Sequence, residues 1–573
     1  MVVWVLLLLS LPSYAVSRID IHVGEVRHPA AIVRDFSATL DAEGRWHGKA
    51  GFAQGDWNQL AQAAALPVAV SKGAVTGQAE FSGQAIQLMR VKLTADLRDM
   101  AFADADGLHA GEKVGGRVSL DAARSGERWQ WQGTLDWQDG EVFWQPLYFP
   151  AGGHALKAHG ALTADMLEVE EGSAEVGGVG QVAFRASLKL ADKSIANLEL
   201  SARGLQAAKG YELLAKPFLE KTVLGNLETA GSVDVQARLA EGELQSFRLA
   251  LHDFDVEDKN GRFALYKVNA DVPWTLKSGT RANLHFDGGR VLNLPLGRSD
   301  LAAQLDGWLL SVPEWRVPLL DGTLTLNNMF LARMDGEWQG HLGARLSEVS
   351  MGEFSHAMGW PRMEGKLAVT APLTTYIGGR LTTDGAMQFE VFDGAVTVSS
   401  LSLQNPLGLA PRLNADIRMR NLDLDLLTRT FSFGAMSGRL DGDVAGLELS
   451  SWKPVKFDAG FRSSPGSYPR KISQRAVENI SALGGAGAAA AIQRSFLRFL
   501  NDFNYGKIGL SCKLRNGVCA MDGVEPAQSG YVIVKGSGIP AITVLGYNRS
   551  VSWTELLGRL QSVTQGNAKP VIK

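Results

Sequence analysis

The sequence predicts an all-β protein built as a long antiparallel sheet whose strands share one apolar face. Three observations point there. From about residue 20 to 460 hydropathy alternates with a period of two, Asp-Gly turn signals recur between the alternating stretches, and helical patterns stay scarce until the last fifth of the chain. In Met89-Arg-Val91-Lys-Leu93-Thr-Ala95-Asp-Leu97-Arg every odd position is apolar and every even one polar. Such fidelity means strands with one face against something apolar and the other in water. A βαβ protein would instead interleave continuous apolar strands with helices.

Taken in order, Val2 to Leu11 is a compact apolar run followed by Pro12-Ser13-Tyr14-Ala15, with small residues at the -3 and -1 positions of a signal-peptidase site. The run falls short of the ~20 residues that span a bilayer. It is preceded by no Lys or Arg, so residues 1–19 read as a signal peptide or a degraded membrane anchor. Residues 20–460 form the repetitive β domain. Its alternating positions are candidates to line one apolar groove: Met89, Val91, Leu93 and Leu97, then Val182, Phe184 and Leu188, then Val233 and Val235. Further along come Leu324 and Leu326, then Val396, Val398, Leu401 and Leu403, then Ile417, Met419, Leu422, Leu424 and Leu426. Asp423 and Asp425 then fall on the solvent side of a strand. Asp139-Gly140, Asp287-Gly288, Asp321-Gly322 and Asp393-Gly394 mark turns, because glycine accepts positive φ without steric cost.

Short helices are expected at Tyr211 to Leu224, broken at Pro217, and at Met351 to Met358. Residues 461–573 form a C-terminal cap. There Ile472, Ala476, Ile480 and Leu483 recur at helical spacing, and Ala488 to Phe503 carries Ile492, Phe496, Phe499 and Phe503 on one face. Gly484-Gly485-Ala486-Gly487 joins the two as an α-hairpin. The two cysteines flank an Asn516-Gly517 hairpin turn. A two-residue turn pairs Leu514 with Cys519 and leaves Cys512 one diagonal step away, whereas a wider loop sets the cysteines opposite each other. A Cys512–Cys519 disulfide stays open at this point.

Composition excludes several functions. With 57 basic and 60 acidic residues, net charge -3 and no basic stripe, nucleic acid is not an expected partner. No H-E-x-x-H, C-x-x-C or EF-hand phrase supports a metal site, and Gly536-Ser-Gly538 lacks the spacing of a nucleotide loop or nucleophile elbow. Neither an enzyme nor a cofactor is expected. What remains is a burial problem, since so long a one-sided sheet exposes more apolar area than a soluble monomer leaves bare. A barrel, paired sandwiches or a ligand-filled trough would each solve it, and periodicity does not choose between the last two.

The last third carries more specific text. The phrase from Leu422-Asp-Leu-Asp-Leu through Gly434, Gly438 and Gly442 to Gly446-Leu-Glu-Leu resembles the strand-turn phrase of AsmA-like proteins. Ile472-Ser-Gln-Arg-Ala-Val, Phe496-Leu-Arg-Phe, Tyr505-Gly-Lys-Ile-Gly-Leu-Ser-Cys512, Gly517-Val-Cys519 and Gly536-Ser-Gly-Ile-Pro540 through Tyr547-Asn-Arg549 resemble the C-terminal region of the YdbH family. That resemblance, strongest from about residue 350 onward, implies a Gram-negative cell-envelope protein related to TamB and YhdP. It implies an inner-membrane-associated, periplasmic bridge whose sheet curls into a taco-shaped trough carrying phospholipid to the outer membrane. It also implies a small outer-membrane lipoprotein as partner at the C-terminal end. Strands of about 11 residues with their turns, spaced ~4.8 Å, would turn the 20–460 segment into roughly 190 Å of groove. The rival expectation is a structural scaffold for outer-membrane biogenesis made of closed β-sandwiches.

Overall fold

The computed structural model describes residues 17–29, 31–56, 68–359, 362, 365–406, 410–484 and 501–564. Strands hold 70% of the chain and helices 9%, so the protein is all-β and its sheet antiparallel. The chain divides into two compact units, residues 1–254 with 271–277, and residues 255–270 with 278–573.

The first unit is a meander in which consecutive long strands bond to one another, while the short Leu147–Phe149 pairs with Arg128–Trp144 alone. It runs from Arg18–His28 through Ala31–Asp41, Arg45–Gln54, Ala69–Gln84, Gln87–Ala103, His109–Ser125 and Arg128–Trp144 to His154–Leu162, and then on through Met166–Val176, Gly180–Lys189 and Ile195–Gln206 to Leu227–Ala240. Several strands hold one extra residue in a β-bulge, and the bulges line up on adjacent strands. Gly73, Asp99, Lys113 and Gly140 all have positive φ, and a Cβ on Gly140 would lie 2.3 Å from the Lys113 carbonyl carbon. Asp139-Gly140 therefore makes a bulge inside a strand, where the sequence suggested a turn. A bulge bends its strand and adds local twist, so the row creases the sheet. It also flips the parity of the pattern. In Gln87–Ala103 the apolar side chains occupy odd positions from Val91 to Leu97 and even ones, Met100 and Phe102, beyond Asp99. The extra residue keeps them all on one face.

In the second unit the ladder proceeds from Ser299–Asp306 through Leu309–Leu319, Gly322–Met334, Glu337–Ser350 and Lys366–Ile377. Lys366–Ile377 pairs with the short strands Arg380–Thr383 and Met387–Val391, and both of these pair with Gly394–Gln404. The ladder continues through Arg412–Asp423, Arg439–Ser450, Lys453–Ser463, Asp502–Arg515 and Val518–Gly523. The Asp-Gly signals at 321 and 393 do close two-residue turns here, with Leu319 opposite Gly322 and Val391 opposite Gly394. Its C-terminal end carries a closed hydrophobic core. Ile472, Phe503, Leu514, Cys519, Tyr531 and Val534 are all at most 1% exposed. The helices Gln474–Gly484 and Trp553–Thr564 contribute Val477, Ile480 and Leu556 to it.

Several expectations need correction. Leu424 and Leu426 do not continue a strand. Asn421 turns the backbone with φ 58°, and the Asp423 carboxylate then accepts from the backbone N–H groups of Asp425 and Leu426, capping a helix at Leu424–Thr430. Leucines at i, i+2 and i+4 fit a strand, but a capping Asp at the junction decides for helix. The helix expected from Tyr211 begins earlier, at Ala207, and runs to Leu219. Pro217 does not break it. The wider π turn at Tyr211–Ala215 gives room for the proline ring against the preceding carbonyls. Ile472 lies in the strand Lys471–Ser473 and Phe503 in Asp502–Arg515; residues 485–500 of the expected second hairpin helix lie outside the described residues. Arg515 pairs with Val518 and Leu514 with Cys519, as a two-residue Asn-Gly turn requires, and the diagonal Cys512 and Cys519 are joined by a disulfide with Cα atoms 5.3 Å apart.

Two tests follow from these local devices. Asp423→Ala should lower the stability of the second unit by about 1 kcal/mol, and Asp423→Asn should restore most of it; urea unfolding followed by circular dichroism reads both. Asp258, fully buried, accepts 2.7 and 2.8 Å hydrogen bonds from the Arg262 guanidinium, which hold its carboxyl far below the usual range. A depressed carboxylate pKa stabilises the fold above the unfolded value near 4, and that contribution fades as pH falls. Asp258→Asn should therefore be less stable than wild type at pH 7, with the gap closing progressively below about pH 4 in a pH series of thermal melts.

Candidate binding face

Directly paired residues of an antiparallel ladder project to the same side of the sheet, so the pairing register shows what each face presents. In the first unit one row of successive partners reads Ile21, Ala38, Gly48, Phe81, Val91, Ala122, Trp131, Gly160, Val169, Ala186, Leu198 and Leu239. A parallel row reads Val26, Val33, Phe52, Gly77, Ala95, Val118, Leu135, Leu156, Ala174, Val182, Ala202 and Val235. Neither contains a polar side chain. Two glycines in them admit a neighbouring ring: a Cβ at Gly48 would lie 2.5 Å from the Phe81 ring and one at Gly77 2.4 Å from that of Phe52. These glycines let aromatics lie flat along the sheet.

On the other face the row from Lys49 runs Glu80, Lys92, Asp121, Gln132, His159 and Glu171. Arg90 donates two hydrogen bonds to Asp121 there, at 2.9 and 2.7 Å, and holds that carboxyl below its ordinary value. A shallow depression of about 680 Å³ lies among these polar ladders, lined by Thr94, Ser119, Gln132 and His159. It is the hydrated side of the sheet.

The second unit repeats the pattern. Val317, Leu324, Leu346, Val369, Phe389, Val396, Met419, Gly442, Phe461, Leu510 and Gly523 follow one another across its ladder. Val91, Leu93, Leu97, Val182, Phe184, Leu188, Val233 and Val235 thus fall on the apolar face of the first unit, but Met89 does not: it is the unpaired residue of a bulge, 36% exposed beside the polar Thr39, His47 and Ser82, and Leu88, opposite Gly83, takes its place. Leu324, Leu326, Val396, Val398, Leu401, Leu403, Ile417 and Met419 fall on the apolar face of the second. Ser400, with φ 55°, supplies the parity flip between Val398 and Leu401. Leu422 lies on the same face but is 4% exposed beneath the C-terminal core, and Leu424 belongs to that core. Sequence alternation did not reveal Phe52, Trp131, Leu135 or Phe461, which stand in shorter or glycine-interrupted runs.

The face is open over much of the first unit, whereas in the second Val396, Met419 and Leu510 pack against the C-terminal core. Leu120 remains 36% exposed and Leu156 38%, where an inner face of a sandwich would be buried. Around Val182 the helical segment Ala207–Leu219 lays Leu213 and Leu214 against Val179, Ala202 and Leu205. Among the described residues no cluster of metal-ligating side chains occurs and no helix is long and apolar enough to cross a membrane. No protein-family model matches the chain, and no curated protein and no solved structure matches it either.

An uncovered face and a buried core respond differently to charge. Leu93→Asp should cost about 1 kcal/mol or less, because the carboxylate stays hydrated, whereas Leu514→Asp should cost ~4 kcal/mol or prevent folding. Denaturant unfolding of the two variants measures the difference; equal, large losses would mean that the face is closed.

Proposed function

We propose that the protein is a periplasmic carrier of phospholipid, with acyl chains lying along the apolar face and headgroups in water at its margins. The observation that carries this reading is the continuous apolar row across each unit, which over much of the first unit has no covering layer, leaving Leu120 and Leu156 more than a third exposed. A sheet face of that extent needs an occupant, and an alkyl chain is chemically matched to rows of Val, Leu, Ala and Phe that offer almost no hydrogen-bonding groups. Passage along the face is passive and uses no nucleotide. The likeness of the C-terminal phrases to the YdbH family supports a place between the inner and outer membranes of a Gram-negative envelope, with a small lipoprotein as the outer-membrane partner. The scaffold of closed sandwiches is less favoured, because half-exposed Leu120 and Leu156 sit where such a fold would bury them.

Organic extraction of the protein purified from membranes should yield phospholipid. Phe184→Asp and Val398→Asp should each lower the recovered lipid several-fold while far-UV circular dichroism stays unchanged. A photoreactive residue at either position should crosslink phospholipid in cells. Purified protein that carries no lipid, with both variants indistinguishable from wild type, would sink the proposal.

A further inference from the structure

One margin of the second unit differs from the charged ladders elsewhere. Ile377, Arg380, Gln404, Arg412, Ser450 and Lys453 are successive partners across the sheet. This row holds three cations and no carboxylate, whereas the polar ladder of the first unit alternates lysines with Glu80 and Asp121. The cations alternate with Gln404 and Ser450 and so recur every second strand, roughly 10 Å apart. Each immediately adjoins, in sequence, a member of the neighbouring apolar row Leu381, Leu403, Leu413, Leu449 and Pro454. A cationic edge and an apolar face are therefore one residue apart, back to back, along this margin.

The margin is also shaped. Arg412, Gln404, Asn414 and Ser450 line a cleft of about 350 Å³ together with Leu449 and Val455. Its one carboxylate, Glu448, is held by Lys456 at 2.5 Å and so does not neutralise Arg412. Trp452 stands at the adjoining turn, 60% exposed, and an indole is a side chain suited to a boundary between apolar and aqueous phases.

We propose that this margin is a phosphate subsite, in which Arg380, Arg412 and Lys453 hold the phosphate of a lipid whose acyl chains lie on Leu403, Leu413 and Leu449. The inference rests on the phospholipid reading above and adds headgroup recognition to it. Arginine and lysine stems are long enough to carry their charges round the sheet edge to a phosphate at the water boundary. The apolar rows alone would accept any alkyl chain, so these cations would favour phosphate-bearing lipids over neutral ones.

The test compares fluorescent-acyl phosphatidylglycerol with the matching diacylglycerol, on wild type and on the triple variant Arg380→Gln, Arg412→Gln, Lys453→Gln. Inorganic phosphate is titrated in a parallel arm. Wild type should bind the phospholipid roughly tenfold more tightly, and the triple variant should lose that preference while keeping its diacylglycerol affinity. The preference should also shrink in 1 M salt, where screening acts within about 3 Å. Equal binding of both lipids by wild type overturns the subsite and leaves the apolar face standing. Phosphate binding that the triple variant loses, without binding of either lipid, assigns the same site to the free anion and removes the carrier reading. Absence of all three overturns both.

Discussion

Everything in this molecule depends on apolar residues meeting apolar residues across each ladder. A strand with strict alternation still fails to build a continuous face if its register slips by one, because every side chain then moves to the opposite side. Here the register holds from strand to strand across each unit. The partners of Val91 are Phe81 and Ala122, and those of Val396 are Phe389 and Met419. Short turns set part of that register, and the Asn516-Gly517 hairpin with Leu514 opposite Cys519 is the clearest case. In the first unit burial sets less of it than usual, since much of the face there stays exposed. Cross-strand contacts within the sheet take that role.

The bulges reconcile long strands with a curved sheet. Each inserts a residue that bends the strand, and each flips the phase of the pattern so that no polar side chain is carried onto the apolar side. Asp99 and Ser400 occupy such positions with φ near 50°, although neither is glycine. Their neighbours Leu97 and Met100, or Val398 and Leu401, differ by three positions yet share a face. An odd step of that kind in an otherwise even alternation is the mark a bulge leaves in sequence.

That mark explains how far the fold and the face could be read in advance. Alternation alone identified the all-β class and most of the apolar face, because a period of two is a direct projection of strand geometry. It failed at Leu424 and Leu426, where three alternating leucines span a strand end, a capping aspartate and a first helical turn. It also missed Phe461, which packs on Gly442 of the neighbouring strand, and Trp131, which faces Gly160 across the ladder, since spacing within one strand carries no information about the strand beside it. The cationic margin of Arg380, Arg412 and Lys453 was equally hidden, as its members are far apart in the chain and adjacent only through pairing.

The meander connectivity bears on mechanics. In the first unit the strands from Arg18–His28 to Leu227–Ala240 are bonded to their neighbours in sequence, except for the short Leu147–Phe149, which pairs with Arg128–Trp144 alone. Tension applied to the ends of such a unit loads its hydrogen bonds a ladder at a time, in unzipping geometry, and never shears the whole sheet at once. The unit would lengthen under load by releasing terminal hairpins in succession, and its remaining strands would keep their apolar register as it yields.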